Sequence, residues 1–291
     1  MICNLCPRQC NAERNENEGF GFCKMPNLPV LARASKHIWE EPCIAGEGGA
    51  GAVFFSGCTL KCCFCQNYEI SHLNNGKKIS VMRLAEIFKE LQNDGCSCID
   101  LVNPTHFADS IIFALEIYKP TVPVVYNSSG YDSVDTLKKF DGLIDVYLPD
   151  VKYYDKEVSL KYASCPDYFE KTSKALLEMK RQTGECEFQN GIMKKGLLVR
   201  HLVLPSNLND SKKILLWIKE NLGEDTFVSL MSQYTPFADA KKHKEINRRL
   251  FTAEYDKIVD YFFEIGLKNG FMQEKSSANT DFIPKFDNFG V

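Results

Sequence analysis

The sequence predicts an α/β fold with a parallel sheet, a partial (β/α)6 TIM-like barrel. Short apolar runs alternate six times with amphipathic helical stretches, which is the pattern of parallel strands joined by helical crossovers. Six units are too few to close an eight-stranded barrel, so a laterally open one fits; a flat doubly wound sheet is the alternative. Either way, chemistry belongs at the carboxyl ends of the strands.

The elements follow in order. Residues 3–23 hold four cysteines among polar residues and glycines, and the connector from Leu28 to Gly49 shows no regular element. Ala52-Val53-Phe54-Phe55 reads as a buried parallel strand. Ser80 opens a helix with Leu84, Ile87, Phe88 and Leu91 on one face, and Gly95 closes it. Cys98 to Val102 is the second strand, followed by a helix through Ile111, Ile112, Leu115 and Tyr118. Val122 to Tyr126 and Leu143 to Leu148 are strands three and four. Helices at about 155–163 and 168–182 precede a glycine-bearing hairpin at 184–196. Leu197 to Leu204 is strand five, Asp210 caps the next helix, and Phe227 to Met231 is strand six. A long helix at about 245–265 and a polar tail finish the chain. The expected division is a Cys-rich segment with its connector at 1–49, the barrel at 50–240, and a C-terminal helix and tail at 241–291.

Composition excludes several partner classes. A net charge of -3 provides no electrostatic footprint for nucleic acid or an anionic membrane. No apolar run approaches the ~20 residues that span a bilayer. Met1-Ile2-Cys3-Asn4 lacks the features of a signal peptide, so a cytoplasmic setting is expected. In a reducing cytosol, 13 cysteines point to metal binding rather than disulfides.

Cys58-Thr59-Leu60-Lys61-Cys62-Cys63-Phe64-Cys65 follows the first strand directly. Soft thiolates select zinc or iron–sulfur clusters. A structural zinc site takes four ligands, and no fourth Cys or His lies nearby at zinc-finger spacing. Three cysteines on a four-iron cluster leave one iron open to a small molecule. Cys63 reads as packing.

This C-x3-C-x-aromatic-C loop, with Phe64 as the aromatic, resembles the signature of the radical S-adenosylmethionine (SAM) superfamily. Phe54-Phe55-Ser56-Gly57-Cys58 and Cys65-Gln66-Asn67-Tyr68 resemble its branch related to pyruvate formate-lyase activating enzyme, the PflX-type proteins. The resemblance continues through residues 103–107, 126–131, 147–152, 199–205 and 232–236. It implies that Cys58, Cys62 and Cys65 hold a [4Fe-4S] cluster whose open iron binds SAM. Reductive cleavage of SAM then yields a 5′-deoxyadenosyl radical that abstracts hydrogen from a substrate. A reductant such as flavodoxin or ferredoxin, and a protein or peptide substrate such as a glycyl radical enzyme, are the implied partners.

On the same resemblance the strand ends form the SAM pocket. Asn103, Thr105 and His106 stand where activating enzymes carry Gly-Gly-Glu, a departure from the pattern; the bare alternative is that Thr105 or His106 caps a helix. Asn127 and Ser129 end strand three in what is otherwise a plain turn. Asp150 and Lys152 share a face by period two and suit SAM's charged groups, or form a structural ion pair. Arg200 and His201 point to opposite faces, with His201 expected inside; Gln233 is a further contact. No catalytic side chain is assigned.

Cys3, Cys6, Cys10 and Cys23 form a candidate second metal site for zinc or a second [4Fe-4S] cluster. Three functions stay open: a glycyl-radical activase, a radical SAM enzyme modifying a peptide, protein or small molecule, and a non-enzymatic iron–sulfur or zinc protein in electron transfer or docking.

Overall fold

The computed structural model describes residues 2–273 and 284–291. Its main sheet contains β1 (Val30–His37), β2 (Ala50–Phe55), β3 (Cys98–Val102), β4 (Val124–Ser128), β5 (Val146–Pro149), β6 (Ile192–Leu202), β7 (Phe227–Met231) and β8 (Gly270–Met272). From β2 to β8 the strands are parallel and lie in chain order without reversal. A doubly wound sheet reverses direction at a switch point. This one does not, so every crossover covers the same face, and the sheet is the expected partial barrel.

The strands' burial explains the two-sided pattern. Val53, Phe55, Ile99, Leu101, Tyr126, Val199 and Leu230 join the core beneath the helices. Ala50, Cys98, Val125, Leu148 and Leu198 face the other way and fill the base of the lumen. Apolar burial at ~25 cal/mol per Å² drives both faces inward, which is why these strands read as unbroken apolar runs.

The crossovers use α1 (Val81–Asn93), α2 (Ala108–Ile117), α3 (Val134–Lys138), α4 (Lys156–Ala163), α5 (Tyr168–Thr183), α6 (Leu208–Leu222) and α7 (Thr252–Glu264). Ser80 caps α1 by accepting the Arg83 N–H at 3.1 Å. Gly95, with φ +77°, turns the chain after it. The hairpin before β6 is present, with Glu187–Gln189 antiparallel to its first residues.

Four expectations need correction. The connector is not irregular: β1 lies in it, antiparallel to β2. Its alanines and Lys36 have low strand propensity, and pairing with β2, and at Val30 and Leu31 with Lys77–Lys78, makes the segment extended. Asp210 sits inside the first turn of α6, and its carboxylate accepts the backbone N–H groups of Tyr154 and Asp155 at 2.9 and 2.7 Å. The last helix begins at Thr252 because Glu254 folds back onto the Phe251 N–H at 3.0 Å and pairs with Arg248 at 2.7 Å. β8, too short to signal itself, extends the sheet beside β7. Of the polar tail, residues 274–283 lie outside the described residues, while Asn288 and Phe289 bond to the backbone of β1.

Candidate active site

A cavity of about 290 Å³ opens at the carboxyl ends of the parallel strands. One wall is the loop after β2. Asn103 donates from Nδ2 to the Gly57 carbonyl at 2.6 Å, and Cys65 N bonds back to Cys62 O at 3.1 Å. Gly57 has φ +83°, and a Cβ there would run into Met25, so glycine is required at this turn. Phe64 anchors the loop by packing edge-on against Tyr234, with ring centroids 5.4 Å apart. Tyr153 and Tyr162 complete its surroundings.

Cys58, Cys62 and Cys65 line the cavity; Cys63 does not. Cys63 holds the loop through its backbone, bonding to Tyr162 O at 2.8 Å and accepting the Asp239 N–H at 2.9 Å. Cys58 accepts the Leu60 N–H at 3.3 Å, and Cys65 accepts the Ser71 hydroxyl at 3.2 Å. Burial pushes the Cys62 thiol up to about 12 and that of Cys65 to about 11. Such thiols ionise only against a strong positive charge, which a bound metal supplies. Among the described residues no three His, Cys, Asp or Glu side chains converge as a single metal ion needs. A four-iron cube instead spreads its ligands over separate irons. Three thiols lining one cavity are the donor set that such a cluster takes.

The opposite wall is charged. Asp150 accepts Arg200 Nε on one oxygen at 2.8 Å and Lys152 on the other. The Arg200 fork continues to Glu40 Oε1 at 2.8 Å and Asn127 Oδ1 at 2.7 Å, so each of its three nitrogens has a partner. Burial disfavours a charged Asp150, yet Arg200 and Lys152 outweigh it and hold the carboxyl below its ordinary range. Burial likewise opposes the Lys152 charge, and Asp150 more than offsets that. Deeper in the lumen, burial pushes Asp100 well up and raises Glu41, favouring their protonated forms.

Of the residues marked from sequence, Phe64, Asn103, Asn127, Ser129, Asp150, Lys152 and Gln233 line the cavity with the three cysteines. His201 does not. It faces the helices, bonded to Val151 O at 2.7 Å and Ser211 Oγ at 2.8 Å, and Arg200 takes the lumen. The opposite-face reasoning stands, but its choice of side reverses, because α6 offers the imidazole a hydroxyl partner. Thr105 and His106 also turn away from the cavity. Thr105 donates to Asp132 at 2.6 Å, and His106 Nε2 meets the Ser56 carbonyl at 2.6 Å. Neither makes a side-chain cap. Arg200 and Glu40 were not singled out as site residues. Only the Arg200–His201 pair carried a sequence signal; Glu40 comes from the connector and carried none.

The family model described as "4Fe-4S single cluster domain" matches residues 44–159, which include the cysteine loop and β2 to β5. An uncharacterized protein of Methanocaldococcus jannaschii is 29% identical over 268 residues, covering 89% of this chain and 73% of its own length. A second from the same organism is 21% identical over 253 residues, covering 77% and 68%. Among solved structures, Streptococcus suis SuiB bound to S-adenosylmethionine matches with a TM-score of 0.52 at 13% identity, over 75% of this chain and 48% of SuiB. SuiB bound to precursor peptide SuiA also gives 0.52, at 12% identity over 75% and 46%. The match thus spans under half of SuiB, and what it establishes is the fold. The three-cysteine loop thus lies inside the segment that the 4Fe-4S model matches, at the mouth of a partial barrel whose fold is similar to that of S-adenosylmethionine-bound SuiB.

Proposed function

We propose that Cys58, Cys62 and Cys65 hold the [4Fe-4S] cluster and that the charged wall opposite receives the amino-acid end of SAM. The observation that carries this reading is the facing of three thiols and a balanced charge set across one cavity. Two cations, Arg200 and Lys152, meet two carboxylates, Asp150 and Glu40. A zwitterion fits such a wall without leaving net buried charge. Asp150 takes one of the three Lys152 donors, which leaves Lys152 two N–H groups for a carboxylate, while Arg200 keeps two of its five donors beside it. Asn103, Asn127, Ser129 and Gln233 add neutral partners, and Phe64 sets the loop's height above the barrel. Thr105, His106 and His201 serve from behind, as positioning residues for the strand ends.

When bound, the cluster supplies one electron to SAM, whose cleavage gives methionine and a 5′-deoxyadenosyl radical for hydrogen abstraction. The protein's own part is to orient SAM and keep solvent from the cavity. A flavodoxin- or ferredoxin-type reductant provides the electron.

For the substrate, the pyruvate formate-lyase activating enzyme resemblance supports a glycyl-radical activase. The second reading, peptide modification, is favoured by the peptide-bound SuiB fold. A glycyl radical signal on a co-encoded partner distinguishes the two. The primary test is anaerobic reconstitution followed by reduction and measurement of 5′-deoxyadenosine. Wild type forms it and Cys62→Ala does not; product at the wild-type rate from Cys62→Ala overturns the ligand assignment. A reconstituted wild type that binds iron but never cleaves SAM leaves only the non-enzymatic reading.

A further inference from the structure

Of the ten cysteines other than Cys58, Cys62 and Cys65, four lie together in the N-terminal segment: Cys3, Cys6, Cys10 and Cys23. Ile2–Cys3 pairs antiparallel with Ala12–Glu13, setting Cys3 opposite Ala12. Gln9 N bonds to Cys6 O at 3.0 Å, and Lys24 N bonds to Gly21 O at 3.0 Å, so the chain reverses tightly at both places. Gln9 and Lys24 take left-handed backbone angles, φ 40° and 57°. An added Cβ at Gly21 would lie 2.8 Å from Cys10 Sγ, so that thiol is packed directly on the second reversal.

The local geometry repeats that of the Cys58 loop. There, Leu60 N–H points at Cys58 Sγ, and Asn67 N–H at Cys65, two residues on in each case. In the N-terminal segment, Arg8 N–H points at Cys6 and Met25 N–H at Cys23, with the same offset. Burial raises both thiols above their ordinary value, and these amide hydrogens offset part of that rise. Cys3, Cys6 and Cys23 are buried, and that burial, with Cys23, Cys3 and Cys10 close by, pushes the Cys6 thiol up to about 12. The Arg14 guanidinium lies beside them, with Nη1 3.4 Å from Cys3 Sγ.

We propose that Cys3, Cys6, Cys10 and Cys23 bind a second, four-thiolate soft-metal centre that is docked against the first. The docking rests on two short routes. Arg8, two residues from Cys6, donates Nε to the Thr59 carbonyl at 2.9 Å, one residue from Cys58. Met25, two residues from Cys23, packs against Gly57 on the other side of Cys58. Phe22 lies under the Arg8 guanidinium at 4.2 Å and stiffens the first route. Binding converts four thiols to thiolates with release of their protons. Four cysteines close the centre, so it takes no substrate. Since no three His, Cys, Asp or Glu side chains among the described residues converge on one ion, an iron–sulfur centre, which spreads its ligands over separate irons, fits here rather than zinc, and it relays electrons to the SAM site.

The test is metal content in a chain lacking the first site. A Cys58→Ala, Cys62→Ala, Cys65→Ala variant is reconstituted with ferrous iron and sulfide or with zinc alone, then assayed by elemental analysis. Retention of about four irons per chain supports the proposal, whereas about one zinc with no iron overturns the iron–sulfur assignment. Adding Cys6→Ala and Cys23→Ala should abolish that retention. A folded triple variant holding neither metal overturns it. Should the triple variant misfold, Cys6→Ser in the otherwise intact chain must lower total metal; an unchanged total overturns the proposal as well. Since the readout needs no SAM chemistry, it fails or succeeds independently of the function proposed above.

Discussion

Asp150 and Arg200 are joined twice, once through the backbone and once through their side chains. They form a parallel bridge where β5 and β6 end, and Arg200 Nε donates to Asp150 Oδ1 at 2.8 Å. The pair thus fixes the strand ends and the charge of the cavity wall together.

Asp150→Ala leaves Arg200 and Lys152 short of a buried partner. Removing one side of a buried ion pair costs about 3–5 kcal/mol, so unfolding in urea should shift by that amount. A change below about 1 kcal/mol would show that solvent already screens the pair.

Lys152→Ala should weaken SAM binding while iron content stays at the wild-type level. Loss of one charge-assisted contact of about 1.5–3 kcal/mol predicts a roughly 10- to 150-fold higher Kd. Equilibrium binding to the reconstituted variant measures it. Wild-type affinity would remove Lys152 from the SAM contacts.

Cys63→Ala separates packing from ligation within one loop. Its thiol is absent from the cavity, whereas its backbone bonds to Tyr162 and Asp239 survive the substitution. Iron content and 5′-deoxyadenosine formation should match wild type. A loss as complete as in Cys58→Ala, Cys62→Ala or Cys65→Ala would make Cys63 a ligand.

His201 gives the fold an acid limit. Burial lowers its pKa to about 4 from an ordinary 6.5, so near pH 6 the unfolded chain takes up a proton that the folded chain refuses. Its contribution is complete above pH 6.5 and is lost as pH falls from there towards 4, at up to about 1.4 kcal/mol per pH unit. His106, lowered by burial to about 3, acts in the same direction. Urea unfolding at pH 7.5 and 5 should show a smaller difference for His201→Gln than for wild type. Equal differences would contradict the assignment.

The sequence by itself determined the strand–helix alternation and the place of the cysteine loop. It also determined that Asp150 and Lys152 share a face. These follow from local rules: apolar runs bury, and side chains alternate along a strand. Tertiary structure decided which face is the lumen. Period two separates Arg200 from His201 but cannot say which one enters the cavity; that depends on Ser211 of α6 and on Glu40. Glu40 reaches Arg200 across 160 positions of chain, from a connector without a pattern of its own. Thr105 and His106 were drawn from the pocket by Asp132 and the Ser56 carbonyl. Local spacing encodes periodicity, whereas a buried charge finds its partner only once distant strands are side by side.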